Sequence, residues 1–276
     1  MLVDIGMQHT YQEFAITGKL QARRTIVSSD KCNVCHGMLG TTSASNTLPT
    51  AFHSGARNMV EACVVCHDAN RMSTTIMTNG STFNESYQFK RMIHGIHGNS
   101  KRTYPFTHGN AVVGVFNKDG TSATGGSALA ATVENFAAEV AWPGAAVNCS
   151  APIAGITCNA SDIIISCNAC HVNNSYKTDQ SPLGAVVYKP NVTAAAGTTP
   201  AVLETDPNKW LVISPKAATC TSCHDSAVAI THVTNYGGAS FGTKTQAQVA
   251  AAPRETCDDC HASGGFKSVD FVHGQK

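Results

Sequence analysis

The chain has 276 residues, enough for one large domain or two small ones. Only 13 % are charged, about half the usual share, and Ala, Gly, Ser, Thr and Asn fill the gap, as on a neutral, loop-rich, secreted surface. A net charge of +1 with no basic cluster excludes nucleic acid as a partner, and no apolar run approaches the roughly 20 residues of a membrane helix.

Residues 1–28 carry no cysteine. Tyr11–Ile16 and Arg24–Val27 alternate like short strands, so this segment reads as the tail of a preceding β domain or as edge strands. His9, a lone histidine near a terminus, reads as solvated, with an axial role as the alternative.

The next stretch opens with Cys32-Asn-Val-Cys35-His36 and closes with Cys63-Val-Val-Cys66-His67. Cys-x-x-Cys-His is the attachment signature of haem c: two thiols add to the vinyl groups and the adjacent histidine becomes the proximal iron ligand. The motif returns at Cys167, Cys170, His171, at Cys220, Cys223, His224, and at Cys257, Cys260, His261. Zinc knuckles or redox dithiols also use Cys-x-x-Cys, but neither requires histidine next each time. Here histidine follows five times out of five, against a background of about one residue in fifty. Five haems c are therefore expected. Their propionates and ferric cores add roughly −5, which makes the oxidised holoprotein about −4.

Between the first two motifs lies His53, a candidate distal ligand. Farther on, Phe89, Met92, Ile93 and Ile96 recur at helical spacing and place His94 and His97 as neighbours on one helix. Both read as distal ligands, on two different irons. Gly95 and Gly98 follow them and would let a porphyrin approach the backbone. His108 reads as a loop residue or propionate partner. Residues 109–166 are poor in charge, with a hairpin-like Asn117-Lys-Asp-Gly120.

Ten of the twelve cysteines lie in the motifs, leaving Cys149 and Cys158. Haem c is attached on the oxidising side of the membrane, so this pair reads as a disulfide closing a short loop. Two free buried thiols are the alternative. Met1–Ile5 lacks the basic start and apolar run of a signal peptide, so the chain is expected to be mature or truncated.

Ser181–Pro215 carries strand-like Ala185–Tyr188 and Trp210–Ile213 and reads as a surface excursion. His232 and His273 each trail a haem motif by about ten residues behind an apolar face, and each is a distal candidate. Seven histidines lie outside the motifs; without His9 and His108, five remain for five irons. Methionine could ligate instead and would raise the potential. Bis-histidine ligation is the simpler account. It leaves no iron open to substrate and points to electron transfer, not catalysis at iron.

At these residues the chain resembles the OmcA/MtrC family of outer-membrane decahaem cytochromes. The resemblance is carried by Lys31-Cys32 with its motif, the His53–Arg57 segment, Cys63–His67, Met92-Ile-His94-Gly-Ile-His97, Trp142-Pro-Gly, Ile213–Asp225 and Val269-Asp-Phe-Val-His273. It spans roughly Arg24 to His273 and is similar to one pentahaem domain, the C-terminal one, with the tail of its β domain. It implies residues 29–276 as the pentahaem domain, His53 as an iron ligand, and a cell-surface or extracellular electron conduit. Other multihaem cytochromes or an outer-membrane conduit would be its partners, with metal oxides or flavin-type shuttles as acceptors. The chain departs from the family in having five haems, the Cys149–Cys158 segment, and His53-Ser-Gly in place of His-Gly. A subunit of a conducting filament and a haem reductase with one open iron are the alternative functions.

The expected fold is a multihaem cytochrome c fold: mostly irregular, with short α-helices around the motifs, little β, and porphyrins in place of an ordinary core.

Overall fold

The computed structural model describes residues 10–36, 39, 53, 57–72, 85–104, 106–108, 121, 134–135, 167–177, 184–189, 192–193 and 202–273. The helices are short: α1 Ser29–His36, α2 Val60–Cys66, α3 Phe89–His97, α4 Pro215–Cys220, α5 Ala227–Asn235, α6 Gln246–Ala251, α7 Asp258–His261 and α8 Val269–Val272. The strands are β1 Thr107–His108, β2 Glu134–Asn135, β3 Val186–Lys189, β4 Val192–Thr193, β5 Val202–Leu203, β6 Leu211–Ile213 and β7 Phe241–Thr245. The chain divides into two compact units, one of residues 1–66, 143–178 and 270–276, the other of residues 67–142 and 179–269.

Among the described residues of the first unit, a short lacing stands in place of a sheet. Val27 bridges His171, Ser28 N–H donates to the Cys170 carbonyl at 3.3 Å, and Val172 N–H donates to the Ile26 carbonyl at 3.1 Å. The Ser28 hydroxyl accepts Asp30 N–H at 3.2 Å and satisfies an orphan donor at the start of α1. Ser29 Oγ accepts Val60 N–H at 3.0 Å, which fastens α2 to α1. The strands expected over Tyr11–Ile16 and Arg24–Val27 are absent among the described residues apart from the Val27 bridge. Their alternation meets no partner strand among the described residues, and Phe14 and Ile16 stay exposed.

The second unit is built on an antiparallel sheet of order β3-β6-β7, with Val187 opposite Val212 and Val212 opposite Lys244. One apolar cluster holds Val186, Ile213, Ala217, Ala218 and Ala239, with Tyr188, Val233 and Phe241 packed on it; another holds Ala185, Val212 and Val249. The sheet is apolar on both faces, which explains why Ala185–Tyr188 and Leu211–Ile213 are apolar runs. Far from being a surface excursion, this part of Ser181–Pro215 is the core of its unit, and it is an ordinary side-chain core. Gly242, at φ +70°, gives room to the Tyr188 ring, which a Cβ there would strike.

Helix ends in this unit are fixed by side chains. Thr245 and Gln248 form a reciprocal capping box on α6. The Gln88 side chain accepts Lys90 N–H at 3.0 Å and opens α3. Glu255 accepts Lys216 N–H at 2.8 Å and Ala217 N–H at 2.9 Å, capping α4 from a distant loop two residues before the fifth motif. No helix among the described residues is long and apolar enough to cross a membrane.

Candidate haem sites

The motifs ride on single helical turns. Backbone bonds from His171 N–H to Cys167 O at 3.0 Å, His224 N–H to Cys220 O at 2.9 Å and His261 N–H to Cys257 O at 2.9 Å each close one turn. Such a turn brings the two cysteines, three apart, to one side with the histidine beside them. Cys32 and His36 lie on α1, and Cys63 and Cys66 on α2 just before His67. In the first unit the thiols of Cys32 and Cys170 are hydrogen-bonded partners; that contact raises the Cys32 pKa and lowers that of Cys170. Lys31 Nζ also donates to the Asn168 carbonyl at 2.7 Å, so the first and third motifs are neighbours.

Five histidines are held through Nδ1. His94 donates to the Lys90 carbonyl at 2.7 Å and His97 to the Ile93 carbonyl at 3.0 Å, each within α3. His67 donates to the Tyr87 carbonyl at 2.8 Å and His261 to the Lys267 carbonyl at 2.9 Å. A carbonyl only accepts, so Nδ1 carries the proton and the lone pair lies on Nε2. His171 Nδ1 lies 3.1 Å from Ser175 Oγ, whose own proton goes to the Ile26 carbonyl. This is the tautomer that presents Nε2 to a metal.

His232 and His261 face each other with ring centroids 6.1 Å apart and planes crossed at 71°. Two imidazoles sharing one metal through Nε2 at about 2 Å each would have centroids roughly 6 Å apart. The flanking surface also suits a porphyrin. Val228 on α5 and Tyr236 just past its end stand one turn either side of His232, exposed at 80 % and 76 %, and α5 buries no residue. Cys257 Sγ lies close to Gly237 at the end of the same helix: a Cβ there would come within 3.2 Å of the sulfur.

The fourth motif leans on α3. A Cβ on Gly98 would collide with Cys223 Sγ, and one on Gly95 would collide with the Phe106 ring. Both glycines allow close approach, of the Phe106 ring at Gly95 and of the Cys223 sulfur at Gly98. Behind them a buried ion cluster ties α3 to the motif. Glu85 pairs with Arg102 and, at 3.4 Å, with Arg91; Arg102 also pairs with Asp225 at 3.3 Å. Arg91 Nη1 donates to Thr221 Oγ1 at 3.0 Å and Arg102 Nη1 to the Ser222 carbonyl at 2.7 Å, both within the motif turn. Burial lowers the Arg91 pKa, with Glu85 opposing the shift. Burial likewise brings Lys90 down to about 8, while its ammonium donates to the carbonyls of Gly184 at 2.6 Å and Pro215 at 3.0 Å.

A family model described as outer membrane cytochrome MtrC/MtrF-like, domains II/IV, matches residues 24–274. The chain belongs to this family. A comparison with curated proteins finds no match. Membership of the MtrC/MtrF-like family points to an outer-membrane multihaem cytochrome involved in extracellular electron transfer and implies haem c as cofactor. Mixed short helices with a small three-stranded sheet are compatible with an MtrC/MtrF-like domain.

Among the residues expected to serve the haems of this MtrC/MtrF-like domain, His53 is exposed, with φ +50°. His273 is half-buried at the end of α8, where Asp270 pairs with Lys177 at 2.9 Å beyond the third motif. His108 has its backbone in β1, paired with Glu134 of β2. The Cys35 side chain, His9, the Asn117–Gly120 hairpin, Cys149 and Cys158 lie outside the described residues. Sequence reasoning missed Glu85, Arg91 and Arg102, which lie up to 140 positions from Asp225 and show no periodic signal.

Proposed function

We propose that the chain is a pentahaem electron-transfer domain in which residues 29–276 hold five haems c and residues 1–28 are the tail of a preceding β domain or edge strands of this one. The observation that carries this reading is the facing pair His232 and His261 at 6.1 Å, on helices with an apolar flank and a Cys-x-x-Cys-His motif. When bound, haem supplies a one-electron ferric/ferrous couple. The chain's part is to hold and orient it. Cys32 and Cys35, Cys63 and Cys66, Cys167 and Cys170, Cys220 and Cys223, and Cys257 and Cys260 would bond the vinyl groups. His36, His67, His171, His224 and His261 would be proximal ligands. His53, His94, His97, His232 and His273 would be distal, with His232 opposite His261. Helix α3 would supply two different irons. An Nδ1–H held by a carbonyl makes Nε2 a stronger donor and favours the ferric state, hence low potential.

With both axial positions filled by histidine, no iron is open to substrate, so the chain is an electron carrier and not an enzyme. Its partners are other multihaem cytochromes or an outer-membrane conduit, and its acceptors are extracellular metal oxides or flavin-type shuttles. The test is the ferric spectrum of intact protein at neutral pH, with haems counted by mass. Five covalent haems, all low-spin, are expected. His232→Ala should keep all five attached and turn one high-spin. A high-spin component in the unsubstituted protein would favour the reductase reading instead.

A further inference from the structure

The histidines of α3 find their carbonyl acceptors one turn back along the same helix. His261 does not: its acceptor is Lys267, reached through a loop that doubles back. Gly265 N–H donates to the Ala262 carbonyl at 2.9 Å and Ser268 N–H to the Gly265 carbonyl at 3.2 Å. Gly264 sits at φ +81°, and a Cβ on Gly265 would come within 2.9 Å of the Cys260 carbonyl. Lys267 itself has φ +54°, a left-handed conformation that a non-glycine residue adopts at a cost. Its ammonium lies over the exposed Phe266 ring at 5.7 Å. A costly backbone conformation persists where the surroundings fix it, and it directs attention to what that residue's peptide touches. Here the Lys267 carbonyl meets the ring of a proximal-ligand candidate.

We propose that Lys267 is a positioning residue: its left-handed backbone holds the His261 imidazole crossed to His232 and lowers the reduction potential of the haem at Cys257–His261. This rests on the pentahaem reading. The carbonyl draws on the Nδ1 proton, raises electron density at Nε2 and stabilises ferric iron. The lysine side chain takes no part.

Four variants of the full chain test this. Lys267→Pro fixes φ near −65° and forbids the left-handed turn, and Lys267→Val disfavours it through β-branching should the proline variant fail to load haem. Lys267→Gly keeps the conformation without cost, and Lys267→Gln removes only the charge. The readouts are the potentiometric titration of the five haems and the low-spin EPR signal, whose shape depends on the angle between axial imidazole planes. Pro and Val should raise the potential of one haem by a tenfold shift in its reduction equilibrium, 59 mV for one electron, and change one EPR signal. Gly and Gln should leave both unchanged. Unaltered potentials in Pro or Val, or a shift in Gln as large as theirs, would overturn the proposal. Peptide mass mapping that finds no haem on Cys257 and Cys260 of the unsubstituted protein would overturn the pentahaem reading itself, and is told apart by that measurement.

Discussion

Replacing Glu85 with glutamine probes the buried ion cluster directly. Glu85 and Asp225 balance Arg91 and Arg102, and all four side chains are at most 8 % exposed. Glu85→Gln preserves shape and one acceptor but leaves one positive charge without its counterpart. Arg102 still has Asp225 at 3.3 Å, whereas Arg91 keeps neutral partners: its bonds to Thr221 and to the Ala218 carbonyl, and the Phe241 ring at 6.0 Å. Removing one partner of a buried pair costs about 3–5 kcal/mol, and the retained amide puts this case at the lower end, about 3. For a domain of this size that is a fall in thermal midpoint of roughly 6–12 °C. The assay is a melt followed in parallel by far-UV circular dichroism and by the Soret band. The loss should persist in 1 M salt, because burial shields the cluster from screening. A cost below about 1 kcal/mol, or a loss abolished by salt, would show that the cluster behaves like a surface pair and would refute the reasoning.

Other outcomes follow from the site. His94→Ala and His97→Ala should each leave five haems covalently attached while turning one haem, a different one in each variant, high-spin; a variant that stays fully low-spin with no replacement ligand would remove that histidine from the axial set. Gly98→Ala should push Cys223 Sγ off α3 and lower the yield of protein with a complete fourth attachment, read by peptide mass; an unchanged yield would mean that α3 yields to the added methyl. Thiol titration of denatured protein should find Cys149 and Cys158 oxidised, and the double serine variant should still take up five haems; two free thiols would refute the bond.

The motifs were legible because their chemistry is local: five residues carry the whole signal. Helix α3 was legible for the same reason, since Phe89, Met92, Ile93 and Ile96 fall on one period, and the helix spans Phe89–His97. The β3 and β6 runs were legible as strands but not as core, because a short apolar run does not reveal whether both faces are covered. Strand β7, Phe241-Gly-Thr-Lys-Thr245, was missed: its only bulky apolar residue is Phe241, and its pairing depends on β6, about thirty positions earlier. That His232 faces His261 could not be read from spacing. A loop, β7 and α6 lie between them, and only the folded chain brings α5 and α7 together.

The intrahelical anchoring of His94 and His97 decides where this chain tolerates change in length. Each ring is tied to a carbonyl four positions back in α3, so both are indexed to a single rigid rod. A residue inserted between them would turn one ring by about 100° around the axis relative to the other and slide it by about 1.5 Å. Lengthening a loop outside the helix leaves that index untouched. Over generations, insertions can collect outside the helix, while the nine residues of α3 are held to a fixed count.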